Sequence, residues 1–197
     1  MIIQKLLPTN TLRRPGSKLL GVRYIVAHDT ANPNSTAQQN VNYYKQSANE
    51  VQASAHTFID DVNIIECIPQ TERALHVRGI TPTDNLMFGV DANDYALGIE
   101  LCYFPLDIPR SQRAYNAYTA YIRDLCTKYR FLDPKTSVVG HFMLDPGNKR
   151  DPMNAFNVIG KKWLDFIADL SQDISPTPVI ETMAEKKAKI IKLVQEL

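Results

Sequence analysis

Cysteine is scarce in this chain of 197 residues. Cys67, Cys102 and Cys126 are odd in number and far apart, so there is no disulfide framework and no Cys-x-x-Cys metal clip. Reduced, mostly buried thiols are expected, as in a chain that folds in a reducing compartment. Long hydrophobic runs are also missing. No stretch of about 18 apolar residues occurs, which excludes a membrane-spanning helix. The N-terminal segment MIIQKLLPTNTLRRPGSK has neither a long apolar region nor a small-residue cleavage site, so it does not read as a secretory signal. Excess charge of one sign is absent too: a formal net charge of +1 gives no basic footprint for nucleic acid. What remains is ordinary for a globular chain, 44% hydrophobic and 22% charged. The length suits one domain that buries a core without staples.

Residues 22–27 crowd apolar and β-branched side chains after Gly21 and predict a buried strand that stops at His28-Asp29-Thr30. Ser35 or Thr36 can cap a helix to about Gln46, with Val41 and Tyr44 inward. Residues 54–59 and 64–68 predict a hairpin around the turn-like Asp60-Asp61-Val62-Asn63. Residues 69–94 read as a long loop of the kind that carries function. A central strand is predicted over 95–103, interrupted by Gly98 and Glu100. Pro109 opens a strong helix to about Tyr129, with Tyr115, Tyr118, Ile122 and Leu125 at helical spacing. A short strand over 136–140 ends at His141, residues 142–156 read as loop, and residues 158–170 as an amphipathic helix. Strands alternating with helices, plus one hairpin, predict an α/β fold with a central mixed β-sheet flanked by helices. The globular part is expected to end near residue 172. Residues 173–180 read as a Pro-containing linker, and 181–197 as a charged helix that could begin a further module.

Histidine occurs at four places, His28, His56, His76 and His141. His28 and His141 each end a predicted strand, and the carboxyl ends of strands are where α/β sheets assemble sites. Catalytic zinc takes three protein ligands and keeps one position open. Asp145 and Asp151 both follow His141, and either could fold back as a third ligand. The bland alternative is that the histidines are hydrogen-bonded structural residues and that Asp145-Pro146-Gly147 and Asp151-Pro152 are simple turns. Glu100 breaks an otherwise apolar strand, either as a functional base or by pointing to a solvated face. Lys149, two residues before Asp151, is either a solvated lysine or an oxyanion-stabilising cation.

Five segments in order resemble the zinc N-acetylmuramoyl-L-alanine amidases, the type shared with peptidoglycan recognition proteins and many phage endolysins. They are Tyr24-Ile25-Val26-Ala27-His28-Asp29-Thr30, Ser54-Ala55-His56-Thr57-Phe58-Ile59-Asp60, Ala74-Leu75-His76, Asn93 through Glu100, and Gly140-His141 through Lys149-Arg150-Asp151-Pro152. The resemblance spans about residues 20–170. Leu75 stands where the family usually has Trp, and Ala96 where it has Ser. The resemblance implies the family's fold, with His28, His141 and Asp151 as Zn2+ ligands, Glu100 as general base and Lys149 as support for the tetrahedral intermediate. It also implies that His76 and Asn93 line the groove for a muramyl peptide of peptidoglycan, and leaves His56 structural or groove-lining. It makes residues 1–172 a catalytic domain and the tail the possible start of a wall-binding module. An endolysin made in a host cytoplasm and acting on the wall fits. A bacterial autolysin, a cross-bridge endopeptidase and a non-catalytic peptidoglycan-binding module are the rival readings.

Overall fold

In the computed structural model, residues 1–79, 87–130 and 132–171 are described, and the predicted linker and C-terminal helix lie outside them. The first strand, β1, is Ile2–Gln4. Strand β2, Tyr24–Asp29, is buried at every position. Helix α1, Ala37–Gln46, starts from Thr36, whose side chain caps Gln39 N–H while Gln39 reaches back to the Thr36 backbone. That reciprocal pair satisfies two otherwise orphaned donors and sets where the helix begins. Strands β3, Thr57–Ile59, and β4, Ile64–Glu66, form the hairpin. The Asp60 carboxylate accepts from Val62 N and Asn63 N in its turn and from Ala37 N at the start of α1, locking hairpin to helix.

A short helix α2, Ala92–Tyr95, leads directly into β5, Ala96–Leu101. Helix α3, Ile108–Lys128, is capped by Asp107. It is followed by α4, Pro134–Ser137, β6, Val138–Gly140, and α5, His141–Leu144. Helices α6, Met153–Val158, and α7, Trp163–Ser171, complete the described chain. The sheet order is β1-β4-β3-β5-β2-β6, parallel throughout except for the β3–β4 hairpin. This is the expected mixed α/β sheet.

Alternation of side chains along each strand separates two faces. On one, Ile25, Ala27, Leu97 and Ile99 pack against Tyr115, Tyr118, Ile122 and Leu125 of α3 and Phe156, Phe166 and Leu170 of α6 and α7. Each fully buried aromatic there contributes roughly 1.5–3 kcal/mol. The opposite face carries Tyr24, Val26 and His28 on β2 and Ala96, Gly98 and Glu100 on β5.

Several expectations need correction. Residues 142–156 are not plain loop: α5 and most of α6 lie there, because Asp145-Pro146-Gly147 punctuates two helical turns rather than replacing them. The single helix expected over 158–170 is split at Gly160, whose φ of +68° suits a residue without Cβ. The long loop over 69–94 contains the start of α2, while residues 80–86 lie outside the described ones. β1 has no counterpart among the expectations.

Candidate metal centre

Register builds the centre. On the parallel β2–β5 pair, His28 is the direct partner of Glu100, so both side chains leave the same face at the carboxyl ends of adjacent strands. On the other side of β2, Ala27 pairs with Gly140, which brings His141 beside His28 with ring centroids 4.6 Å apart. From behind, the Tyr118 hydroxyl of α3 lies 3.3 Å from the carbonyl oxygens of both His28 and Ile99, tying the two central strands to the helix.

The chain then returns. Asp151 places Oδ2 2.8 Å from His28 Nδ1 and 3.0 Å from His141 Nδ1. Ligand-capable atoms of His28, His141 and Asp151 all lie within 4.8 Å of one another. Asp145, the other candidate from the sequence, is not in the cluster: its Oδ1 accepts from Asn148, and its Oδ2 is buried without a hydrogen-bond partner among the described residues. Asp151 is held by Phe142 N, which donates to its carbonyl oxygen at 3.2 Å, and the segment after it is held by Asp29, the residue after His28. Its carboxylate accepts from Ala155 N at 3.2 Å, Asn154 Nδ2 at 3.1 Å and Ala31 N at 3.0 Å. Asp29 thereby fastens the end of β2 to α6, two residues beyond Asp151. Sequence reasoning passed over Asp29; a carboxylate ending a buried strand, next to a candidate ligand, was the available signal.

The other predicted residues gather round. Lys149 lines a hollow of about 380 Å³ together with His141, His76, Asn93, Arg73 and Arg78. A second hollow, about 470 Å³, is lined by Glu100 with Asn32, Asn40, Tyr43 and Tyr44. Asn93 is 3% exposed and its amide is committed to the protein. Its Oδ1 accepts from His76 N and Val77 N, and its Nδ2 donates to Val77 O, so it clamps the segment that carries His76. His56 is held by backbone on both sides, donating to Glu72 O and accepting from Gly98 N.

Burial governs the charges. It lowers the His28 pKa to about 4, assisted by the nearby His141 and Lys149 and opposed by Asp151. It lowers His56 to about 4, and His76 well below the usual imidazole value. These imidazoles are therefore neutral at ordinary pH, the form that binds metals. Burial opposes ionisation of Asp151, but hydrogen bonds from His141 and His28 outweigh it and hold its carboxyl below the usual range. Glu100 goes the other way. Burial, then the charges of Asp151 and Asp29, raise it well above an ordinary glutamate, with Lys149 pulling it down. Its Oε2 is buried without a hydrogen-bond partner among the described residues. Two imidazoles and one anionic carboxylate, with a basic carboxylate alongside, form a donor set that fits a borderline divalent cation. All three cysteines are free and buried, and none belongs to this cluster.

Residues 18–154 match the family described as Amidase_2, N-acetylmuramoyl-L-alanine amidase. The chain is similar to the N-acetylmuramoyl-L-alanine amidase BlyA of Bacillus subtilis (strain 168), 32% identical over 168 residues, covering 81% of this chain and 44% of that protein. It is also similar to the N-acetylmuramoyl-L-alanine amidase CwlL of Bacillus licheniformis, 29% identical over 154 residues, covering 77% of this chain and 41% of that one. It thus spans less than half the length of these curated relatives. Among solved structures, the catalytic domain of XlyA superposes with a TM-score of 0.68 at 24% identity, covering 86% of this chain and 99% of that one. PlyL gives 0.69 at 24%, covering 87% and 98%.

Proposed function

The chain belongs to the N-acetylmuramoyl-L-alanine amidase family, and from that premise we propose that it is a zinc hydrolase, acting as a phage or prophage endolysin. It cuts the amide between N-acetylmuramic acid and the L-alanine of the stem peptide in bacterial peptidoglycan. The observation that carries the reading is the meeting of His28, His141 and Asp151 at one point, with Glu100 on the neighbouring strand.

His28, His141 and Asp151 would hold the ion. Bound zinc supplies Lewis acidity toward the amide carbonyl and acidifies water to near neutrality. Glu100, whose burial makes it a stronger base than a solvated glutamate, accepts one proton of the attacking water and returns it to the alanine nitrogen as the C–N bond breaks. Lys149, close enough to shift the titration of both His28 and Glu100, sets its positive charge against the developing oxyanion. His76 and Asn93 shape the wall along which the muramyl peptide lies. The products are a lactyl carboxylate on an intact glycan strand and a peptide with a free L-alanine amine.

Digestion of purified cell walls tests this. Newly exposed amino termini should be L-alanine, glycan strands should stay whole, and chelation should stop the reaction until zinc is restored. A different new amino terminus would make the chain a cross-bridge endopeptidase. Binding to walls without any new terminus would make it a binding module.

A further inference from the structure

We propose that His76 is a positioning residue for the metal centre: anchored on a backbone carbonyl, it fixes the tautomer of His28 so that a bare Nδ1 faces Asp151. The inference rests on the zinc reading above and deepens it. His76 Nε2 lies 3.3 Å from the carbonyl oxygen of Ala96, and His76 Nδ1 lies 3.1 Å from His28 Nε2. A carbonyl oxygen can only accept, so His76 Nε2 carries the hydrogen. A neutral imidazole has one N–H, so His76 Nδ1 is the acceptor and His28 Nε2 must be the donor. With a cation bound, His28 Nδ1 is then left with a lone pair on the side of Asp151 Oδ2, 2.8 Å away. In the metal-free chain a proton on His28 Nδ1 makes that contact a hydrogen bond to Asp151; a bound cation takes that proton's place, and the path from Ala96 through His76 then holds the remaining proton on Nε2. The Ala96 carbonyl thus dictates, through two rings, which nitrogen of His28 offers itself as a ligand. Ligating histidines commonly have such a partner on their other nitrogen, and losing it costs about 10–100-fold in metal affinity.

The position of His76 is itself over-determined. Asn93 holds its backbone and that of Val77. Gly98 leaves room for the ring, since a Cβ at that position would come within 2.4 Å of His76 Cγ. The ring is only 9% exposed, and its edge meets the His28 ring at 86°. A side chain serving only to touch substrate would need neither the carbonyl anchor nor the glycine.

Zinc affinity, read by competition with a chromophoric chelator on the purified chain, provides the test. His76→Leu should bind zinc about 10–100-fold more weakly than the parent. His76→Gln should recover most of that loss, because its amide can both accept from His28 and donate to Ala96. Far-UV circular dichroism of the metal-free proteins checks that both variants are folded. Independently of any variant, long-range proton–nitrogen NMR of the zinc-loaded parent should show His28 protonated at Nε2 and His76 unprotonated at Nδ1. If His76→Leu binds zinc as tightly as the parent, or if His28 carries its proton on Nδ1, the inference is wrong while the zinc reading stands. A parent that binds no zinc overturns both.

Discussion

Glu100 is a charged residue in a central strand, tolerated because it serves the face on which His28 and Asp151 converge. Replacing it with Gln preserves shape and hydrogen-bonding capacity but removes the base. Glu100→Gln should bind zinc like the parent in chelator competition while wall hydrolysis falls by about 10²–10⁴-fold. A matched loss of zinc would instead place Glu100 among the ligands. Gly98 gives a second prediction at this scale. Gly98→Ala drives a methyl group into His76, and overpacking of this kind costs about 1–3 kcal/mol. Urea unfolding of the metal-free protein should register that cost, and zinc affinity should drop with it. Neither residue's role follows from pattern alone. Alternation left Glu100 free to face either side of the sheet, and only its pairing with His28 decides. Similarly, Asp145 and Asp151 look alike in sequence, and the difference is the Asn148 amide that occupies Asp145 while Asp151 turns toward two imidazoles.

At the level of elements, the parts that hydrophobic periodicity and caps specify were legible. α1 begins at Thr36, one of the two caps expected, α3 runs one residue short of its expected end, β5 lies within its expected apolar run, and β2 overlaps its own but extends through His28 and Asp29. Elements that depend on distant partners were not. β1 is three residues long, half-exposed, and exists because it pairs with β4 some sixty residues away. α5 and α6 are too short to show a helical period, and α6 is held by a carboxylate on another element. That carboxylate, Asp29, carries the prediction here. Asp29→Ala leaves the Ala31 and Ala155 amides without their acceptor. The Ala155 donor is buried, and leaving it unpaired costs about 1–3 kcal/mol. The metal-free variant should be destabilised by that amount in urea, and its zinc affinity should fall because Asp151 loses its support. Unchanged affinity in a destabilised Asp29→Ala chain would show that α6 is placed by other contacts.

For the whole molecule, the buried imidazoles make stability depend on acid. His28 and His56 titrate near 4 in the folded chain and near 6.5 when unfolded, and His76 is lowered further. Between those values the unfolded chain takes up protons that the folded chain refuses, so stability falls as pH drops from about 6.5 to about 4. Glu100 works in the opposite sense, since the folded state retains a proton that the unfolded chain releases above about 4.5. Burial raises Asp29 in the same sense as Glu100, so three lowered imidazoles, His28, His56 and His76, stand against two raised carboxyls, and thermal melts of the metal-free protein should show the midpoint declining through that window. A midpoint that stays flat or rises as pH falls would show that the raised carboxyls cancel the imidazoles. Free zinc at a hundredfold above its dissociation constant should add about 2.7 kcal/mol at neutral pH, and chelator should remove it.

The triangle of His28, His141 and Asp151 also has a temporal side. Asp29 reaches Ala155 across 126 positions, and His28 reaches Asp151 across 123. A ribosome must therefore have delivered nearly all of the described chain before these groups can meet. A product stopped before His141 carries His28 without His141 or Asp151 and cannot complete the triangle. The three side chains can therefore come together only late in synthesis.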